Sequence, residues 1–262
     1  MKVTVLTENT SCNEYLDVEH GLSLLIETDG YRILFDTGQT DLFSVNADKL
    51  ALDLSAVDLL IVSHGHYDHG GGIERFLEIN DKAKIVISRY AFESHYNASG
   101  KYIGLDQSLK NNGRFVFIED AMKIDDNIMI YTSDGRDCSY YNDNFGLTLF
   151  ENGIHIPDDF RHEIYLEITE KNRKYIFSGC SHKGVLNIMS WFTPNVFIGG
   201  FHFMKIDPIN QKGLLKELAD KLLSYDTKYY TCHCTGSEQY EILKERMSDK
   251  LEYISTGMSF DL

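Results

Sequence analysis

The chain has 262 residues, of which 43% are hydrophobic, so it is long enough to bury a substantial core. Acidic residues outnumber basic ones by 40 to 25, and the net charge of −15 argues against nucleic acid as a partner, because few cations are available to neutralise phosphates. With only three prolines and no linker-like stretch, residues 1–262 are expected to form a single domain.

Composition also predicts the compartment. No stretch approaches the ~20 apolar residues of a membrane span, and the first residues turn polar too early for a signal peptide. Five cysteines, an odd number in a chain of this length, argue against a disulfide framework. We therefore expect a cytoplasmic protein with reduced thiols and no membrane partner.

The first half of the chain alternates predicted strands with short helices. Strands are predicted at residues 2–7, 21–28, 31–35, 57–62 and 84–87, and helices at 42–50 and 73–77. Asp29-Gly30 is a hairpin signal between two of these strands. Residues 88–112 show neither the alternation of a strand nor the periodicity of a helix, and they are predicted to be an irregular connection over a site.

The second half is predicted to contribute a second sheet and longer helices. Strands are predicted at residues 115–118, 128–132, 162–168, 174–178, 195–198 and 228–231, and helices at 184–191, 209–223 and 238–247. Residues 136–160 are a polar, aromatic excursion. Four strands run into a loop that bears histidine, which predicts that these loops gather at one sheet edge.

The motif with the clearest chemistry follows the apolar run at residues 57–62. Its sequence is Ser63-His64-Gly65-His66-Tyr67-Asp68-His69, followed by three glycines. On a tight loop, His64 and His66 can converge on one point while Asp68 and His69 reach a second. Imidazole and carboxylate are ligands of zinc and neighbouring transition metals, so the motif predicts two adjacent metal ions.

This His-x-His-x-Asp-His pattern resembles the signature of the metallo-beta-lactamase superfamily. The resemblance implies an α/β fold, a four-layer αββα sandwich of two mixed β-sheets flanked by helices, with metals at the sheet edge. It also implies that Asp36 lies behind the metal ligands. Glu8 and His20 are weaker candidates for the rim of the pocket.

Further motifs narrow the resemblance to one branch. They are Asp36-Thr37-Gly38, Gly179-Cys180-Ser181-His182-Lys183-Gly184, Gly199-Gly200-Phe201-His202 and His233-Cys234-Thr235-Gly236. Together they resemble the 7,8-dihydropterin-6-methyl-4-(beta-D-ribofuranosyl)aminobenzene-5'-phosphate synthase branch, which implies a pterin-condensing reaction.

Two metals need more ligands than the first loop contains, because each takes about four. We assign His64, His66 and His182 to one metal, and Asp68, His69 and His233 to the other. His162 competes with His182, since other superfamily members have a histidine ligand just before a strand. Cys180 is either a thiolate ligand, as in some members, or a small buried residue.

Two other positions near these ligands are left open. His202 is either a group that contacts substrate or donates a proton, or a satisfied core histidine. Cys232 and Cys234 are expected to point away from the metal, on the assumption that they flank His233 in an extended strand.

These assignments predict an enzyme with two divalent metal ions, zinc first and iron or manganese as alternatives, acting on a small-molecule substrate. The leading hypothesis is a hydrolase that uses a metal-activated water on a phosphoester, thioester or lactone, with Asp68 and His202 as catalytic residues. A Lewis-acid pterin transferase is the alternative, and a non-catalytic or di-iron redox protein is the third. The sequence does not specify the oligomeric state.

Overall fold

The computed structural model describes residues 1–140 and 142–262; Tyr141, in the predicted polar excursion, lies outside the described residues. The strands are β1 (Lys2–Thr7), β2 (Ser23–Glu27), β3 (Arg32–Phe35), β4 (Leu59–Ile61), β5 (Lys84–Ser88), β6 (Ser94–Tyr96), β7 (Phe115–Ile118), β8 (Met122–Lys123), β9 (Ile128–Thr132), β10 (Thr148–Glu151), β11 (Ile154–Pro157), β12 (Ile164–Glu170), β13 (Arg173–Phe177), β14 (Val196–Ile198), β15 (Lys228–Thr231), β16 (Leu251–Tyr253) and β17 (Ser259–Asp261). The helices are α1 (Leu42–Lys49), α2 (Tyr67–Gly70), α3 (Ile73–Ile79), α4 (Val185–Phe192), α5 (Lys212–Leu223) and α6 (Ser237–Met247).

Two seven-stranded mixed sheets form the centre of the fold. The first has the order β17-β1-β2-β3-β4-β5-β7, and the second has the order β16-β15-β14-β13-β12-β9-β8. Strands β3, β4, β5 and β7 run parallel to one another, as do β13 to β16, whereas the remaining pairs are antiparallel. A smaller sheet contains β11, β10 and β6.

The layers follow from alternation along the strands. In β3, the side chains of Ile33 and Phe35 enter the core between the two sheets, whereas Leu34 faces outward and packs in the cluster that contains Phe43 of α1. A third cluster packs α4, α5 and α6 against the outer face of the second sheet. This confirms the predicted four-layer αββα sandwich.

Two predictions about the connections need correction. Residues 115–118 were expected in the second sheet, but β7 pairs in parallel with β5 and therefore extends the first. Alternating hydrophobicity shows that a segment is a strand without showing which strand is its partner. Residues 88–112 and 136–160 are also more ordered than expected, because β6 pairs with β10 of the hairpin β10–β11.

The parallel strands bring the histidine loops together. His64 follows β4, His182 follows β13, His202 follows β14 and His233 follows β15. The last three of these strands are parallel neighbours in the second sheet, so their carboxyl ends meet at one edge. Strand β4 belongs to the first sheet, and packing of the two sheets brings its loop to the same edge, where the rings of His64 and His182 lie 4.8 Å apart. The predicted gathering of these loops is confirmed by the contacts described below.

The five cysteines are free thiols, in agreement with the prediction. Across the described part of the chain, no helix combines the length and apolar character that crossing a bilayer requires.

The packing between the two sheets predicts how a core substitution changes the free energy of unfolding. The ring of Phe177 in β13 is fully buried and lies 6.1 Å from the ring of Phe35 in the opposite sheet. We expect Phe177→Ala to lower the free energy of unfolding by about 3–5 kcal/mol, measured by urea denaturation. Phe150→Ala is the control, since Phe150 is 42% exposed on β10. An equal loss in both variants would contradict this packing.

Candidate metal centre

The carboxylate of Asp36, at the end of β3, organises the histidine loop. It accepts hydrogen bonds from the backbone N–H of Ser63 at 2.6 Å, from the Ser63 hydroxyl at 2.7 Å and from Nδ1 of His69 at 2.6 Å. All three residues are buried. Asp36 therefore lies behind the loop, where the resemblance placed it, and fixes the orientation of the His69 ring.

The partners of His69 and His233 establish which ring nitrogens carry protons. Nδ1 of His69 faces the Asp36 carboxylate at 2.6 Å, and Nδ1 of His233 faces Oδ1 of Asn9 at 2.8 Å. Oδ1 of Asn9 also accepts a hydrogen bond from the backbone N–H of Gly21, which supports the orientation of this amide. Both oxygens are acceptors, so each Nδ1 is the donor and each neutral ring presents a lone pair at Nε2.

These two Nε2 atoms lie only 3.2 Å apart. Two lone pairs at that distance repel, unless a cation lies between them. Oδ2 of Asp68 is 3.4 Å from Nε2 of His233 and 3.9 Å from Nε2 of His69, and Sγ of Cys180 is 3.2 Å from Nε2 of His69. The cluster therefore favours a proton or a metal ion at its centre.

The electrostatics of His69 agree with that requirement. Burial lowers the pKa of His69, but the carboxylates of Asp36 and Asp68 raise it more, so the net shift is upward. For His233 burial dominates and lowers the pKa to about 4. A negative environment thus surrounds His69, and a cation bound to its Nε2 is stabilised.

A second group consists of His64, His66 and His182, whose ligand atoms all lie within 4.8 Å of one another. The Ser63 hydroxyl gives its proton to Asp36 and so accepts from Nδ1 of His64 at 2.9 Å, which leaves a lone pair at Nε2 of His64. Among the described residues, the Nε2 atoms of all three rings are buried without a hydrogen-bond partner.

Burial lowers the pKa of His64, His66 and His182 well below the ordinary value, so the three rings are neutral at pH 7. Neutral imidazoles with free lone pairs are the form that binds zinc and its neighbours. A buried lone pair without a partner costs free energy, which a bound cation recovers. The donor atoms therefore fit a divalent metal ion.

His162 has the opposite protonation pattern. The backbone N–H of Gly65 donates to Nδ1 of His162 at 2.9 Å, so the proton of the neutral ring is on Nε2. That nitrogen has no lone pair to offer a metal. This difference in protonation favours His182 over His162 as a ligand of the first metal.

His162 instead belongs to a buried group around Asp158. Nδ1 of His95 lies 2.7 Å from Oδ2 of Asp158, and Nε2 of His162 lies 3.6 Å from the same oxygen. Burial raises the pKa of Asp158, but the two imidazoles lower it more, and the carboxylate stays ionised. A nitrogen of His66 lies within 4.8 Å of this group, so His66 connects it with the first metal group.

Two carboxylates hold the remaining loops. Glu8 is fully buried and accepts hydrogen bonds from the backbone N–H of His233 and, at 2.7 Å, from the Tyr253 hydroxyl. Glu163 accepts a hydrogen bond from the backbone N–H of His182 at 2.7 Å. Glu8, expected at the pocket rim, thus supports the His233 loop from behind.

His20 does lie at the rim, with its Nε2 3.3 Å from Oδ2 of Asp68 and its side chain 46% exposed.

The cysteines differ from the prediction at one position. Cys234 was expected to point away from the site, but its sulfur lies within 4.8 Å of ligand atoms of Cys180 and His233. The reason is local, because His233 has a left-handed backbone with φ 48° and begins a single 3-10 turn instead of continuing a strand. Side-chain alternation therefore does not apply there.

Both metal groups open onto one pocket of about 170 Å³. Its walls include His66, Asp68, Cys180, His182, His202 and His233. The ring of His202 lies 4.2 Å from that of His182, and burial lowers the pKa of His202 to about 4, so this ring is neutral at pH 7. Five of the seven predicted ligands line this pocket, and the other two, His64 and His69, are fully buried beside them.

Comparisons with known proteins agree with this site. The sequence model described as "Metallo-beta-lactamase superfamily" matches residues 16–227, and the chain belongs to this superfamily. The 7,8-dihydropterin-6-methyl-4-(beta-D-ribofuranosyl)-aminobenzene-5'-phosphate synthase of Methanocaldococcus jannaschii is 28% identical over 263 residues, covering 91% of this chain and 88% of the relative. An uncharacterized protein of the same organism, MJ0448, is 28% identical over 244 residues, covering 89% of this chain and 90% of the relative.

A solved structure is also similar along the whole chain. Tm1679, a metal-dependent hydrolase of the beta-lactamase superfamily, aligns with a TM-score of 0.84 and 27% identity, covering 100% of this chain and 99% of Tm1679. The predicted superfamily, its branch resemblance and its fold are confirmed.

The Asp36–His69 hydrogen bond predicts a strong effect on metal affinity. In Asp36→Asn, the NH2 group of the new side chain is a donor and must face a second donor, either Nδ1–H of His69 or the N–H and O–H groups of Ser63. We expect the His69 ring to change tautomer and metal affinity to fall about 10- to 100-fold, measured by competition with a chromogenic chelator. Asp17→Asn is the control, because Asp17 pairs with Lys49 on the surface. Equal affinities in both variants would contradict the role of Asp36.

Proposed function

We propose that the chain is a dinuclear metal-dependent hydrolase that uses a metal-activated water on a small-molecule ester. The observation that carries this proposal is the 3.2 Å approach of two Nε2 lone pairs, those of His69 and His233, beside a second group of neutral imidazoles. Both groups open onto the same pocket, as two-metal catalysis requires.

The proposed ligand sets follow the two groups. One metal would be held by His64, His66 and His182, and the other by Asp68, His69 and His233. Cys180 is a further ligand of the second metal, since its sulfur is next to His69. Burial raises the pKa of the free Cys180 thiol, and a bound metal would oppose that shift.

Imidazole and thiolate donors suit zinc, with iron as an alternative, better than manganese. When bound, such ions supply Lewis acidity and lower the pKa of a coordinated water to about 7.

The remaining chemistry comes from side chains of the pocket wall. Nearby imidazoles outweigh burial and keep the pKa of Asp68 well below its ordinary value, so its carboxylate is ionised and can orient a water molecule. His202 is neutral and can donate a hydrogen bond to a leaving group. Lys205 also lines the pocket and can attract an anionic substrate group.

These groups are consistent with a phosphoester, thioester or lactone as substrate. The hypothesis of a hydrolase is supported by the similarity to Tm1679, which is named as a metal-dependent hydrolase.

A pterin transferase is the second candidate. It is supported by the relative from Methanocaldococcus jannaschii, whose name describes a dihydropterin ribofuranosylaminobenzene phosphate synthase and which aligns with 91% of this chain. In that case the same metals would act as Lewis acids, and aromatic side chains would stack on the heterocycle.

A substrate panel separates the two candidates. Purified protein loaded with zinc is incubated with phosphodiesters, thioesters and lactones and, separately, with a dihydropterin and a ribofuranosylaminobenzene phosphate. We expect turnover of at least one ester class, and we expect Asp68→Asn to abolish it. Condensation of the pterin pair without ester hydrolysis would establish the transferase and refute the hydrolase.

Metal stoichiometry tests the ligand assignment. We expect His182→Asn to reduce bound zinc from about two to about one per chain, because each position needs three or four ligands. His162→Asn is the matched control, since the Asn oxygen can still accept the Gly65 N–H and zinc should stay near two. Elemental analysis after gel filtration measures both. The reverse pattern would make His162 the ligand.

A further inference from the structure

A second cavity lies beside the metal pocket, with a volume of about 260 Å³. Its wall is mainly apolar and includes Phe145, Phe203, Ile206, Leu214 and Leu218. Leu214 and Leu218 come from α5, one helical turn apart, and Ile206 lies in the loop before that helix. The charged side chain in this wall is Asp143, so the cavity disfavours an anionic group.

His202 forms a wall common to this cavity and the metal pocket. Its ring packs in a T-shaped arrangement with that of Phe145, with ring centroids 5.3 Å apart, and the ring of His182 lies 4.2 Å away. In the described part of the chain, Nδ1 of His202 is shielded from solvent and has no hydrogen-bond partner. A molecule that spans the two cavities would therefore pass the ring of His202.

We propose that this cavity, defined by Phe145, Phe203, Ile206, Leu214 and Leu218 and called here the apolar subsite, binds the apolar part of the substrate. The reacting polar group of the same molecule lies in the metal pocket. The inference rests on the proposed metal centre and adds to it the substrate class, a small molecule with one aromatic ring or a short branched chain.

The dimensions support this class. A cavity of about 150 Å³ accommodates benzene, so a volume of 260 Å³ suits a single ring with a short substituent. Metal pocket and apolar subsite together have the size of a typical small-molecule site, about 300–1,000 Å³. The charges give the orientation, because Lys205 is in the metal pocket and Asp143 is in the subsite wall. An anionic end is therefore directed to the metals and an apolar end to α5.

Alkyl thiols provide a test that needs no turnover, because a thiolate binds a metal directly. Cobalt-loaded protein is titrated with ethanethiol, butanethiol, hexanethiol and 2-phenylethanethiol, and the visible bands of cobalt report binding. We expect each added methylene to improve affinity about 3- to 4-fold until the apolar subsite is filled. Methyl NMR signals of Ile206 and Leu218 should shift with the longer thiols.

Leu214→Gln and Leu223→Gln are the matched variants. Both leucines lie on α5 and are similarly exposed, at 41% and 37%, but only Leu214 is in the wall of the subsite. We expect Leu214→Gln to remove most of the gain with chain length and to leave ethanethiol binding unchanged. Leu223→Gln should behave like the unmodified protein.

The outcomes separate the subsite from the metal centre. If all thiols bind cobalt equally and the methyl signals stay unchanged, the subsite is wrong while the metal centre stands. If no thiol changes the cobalt bands but the methyl signals still shift with hexanethiol, the subsite stands and the metal assignment fails. If neither signal responds, both are refuted.

Discussion

The hydrogen bond between Asp36 and Nδ1 of His69 is the interaction on which the metal centre depends. By fixing a proton on Nδ1, it leaves the lone pair of Nε2 pointing at His233, 3.2 Å away. Asn9 does the same for His233, and the Ser63 hydroxyl does it for His64. The loops thus assemble nitrogens that repel one another unless a cation is present.

The hydrogen bonds to Nδ1 distinguish two kinds of histidine in this site. His64, His69 and His233 have their protons on Nδ1 and a lone pair at Nε2, as a metal ligand requires. His162 accepts the Gly65 N–H and keeps its proton on Nε2, so it suits Asp158 as a donor. Hydrogen bonds to the backbone and to carboxylates therefore define the ligand set as much as residue identity does.

Much of this arrangement could be predicted from sequence. The run from Ser63 to His69 follows an apolar strand, and His182, His202 and His233 each follow another. Parallel strands end at a common edge, so local patterns predicted that the loops of His182, His202 and His233 meet. The run from Ser63 to His69 joins them because the two sheets pack face to face. The four-layer sandwich followed from the resemblance to the superfamily and was confirmed.

The rest depends on contacts between distant segments. Asn9 is 224 residues from His233 in sequence, and His95 is 63 residues from Asp158, so no local pattern reveals either pair. Asp158 lay in the predicted polar excursion and Glu163 lay in a predicted strand, and neither was recognised as a support of the site, although the carboxylates of both hold histidines of the site or their backbone. The position of β7 in the first sheet depends on its pairing with β5, which no local pattern shows. The bend that turns Cys234 into the pocket depends on the left-handed backbone of His233.

Left-handed backbone recurs where this site is built, at Asp36, Ser181, His202 and His233, with φ between 48° and 62°. Each such residue costs about 1 kcal/mol or more relative to glycine in the same conformation. The site is thus maintained against the conformational preference of its own chain. His202 differs from the other three because its buried Nδ1 has no hydrogen-bond partner among the described residues. Selection for heat resistance alone would therefore favour glycine at this position, and the more stable protein would lose a wall of its metal pocket.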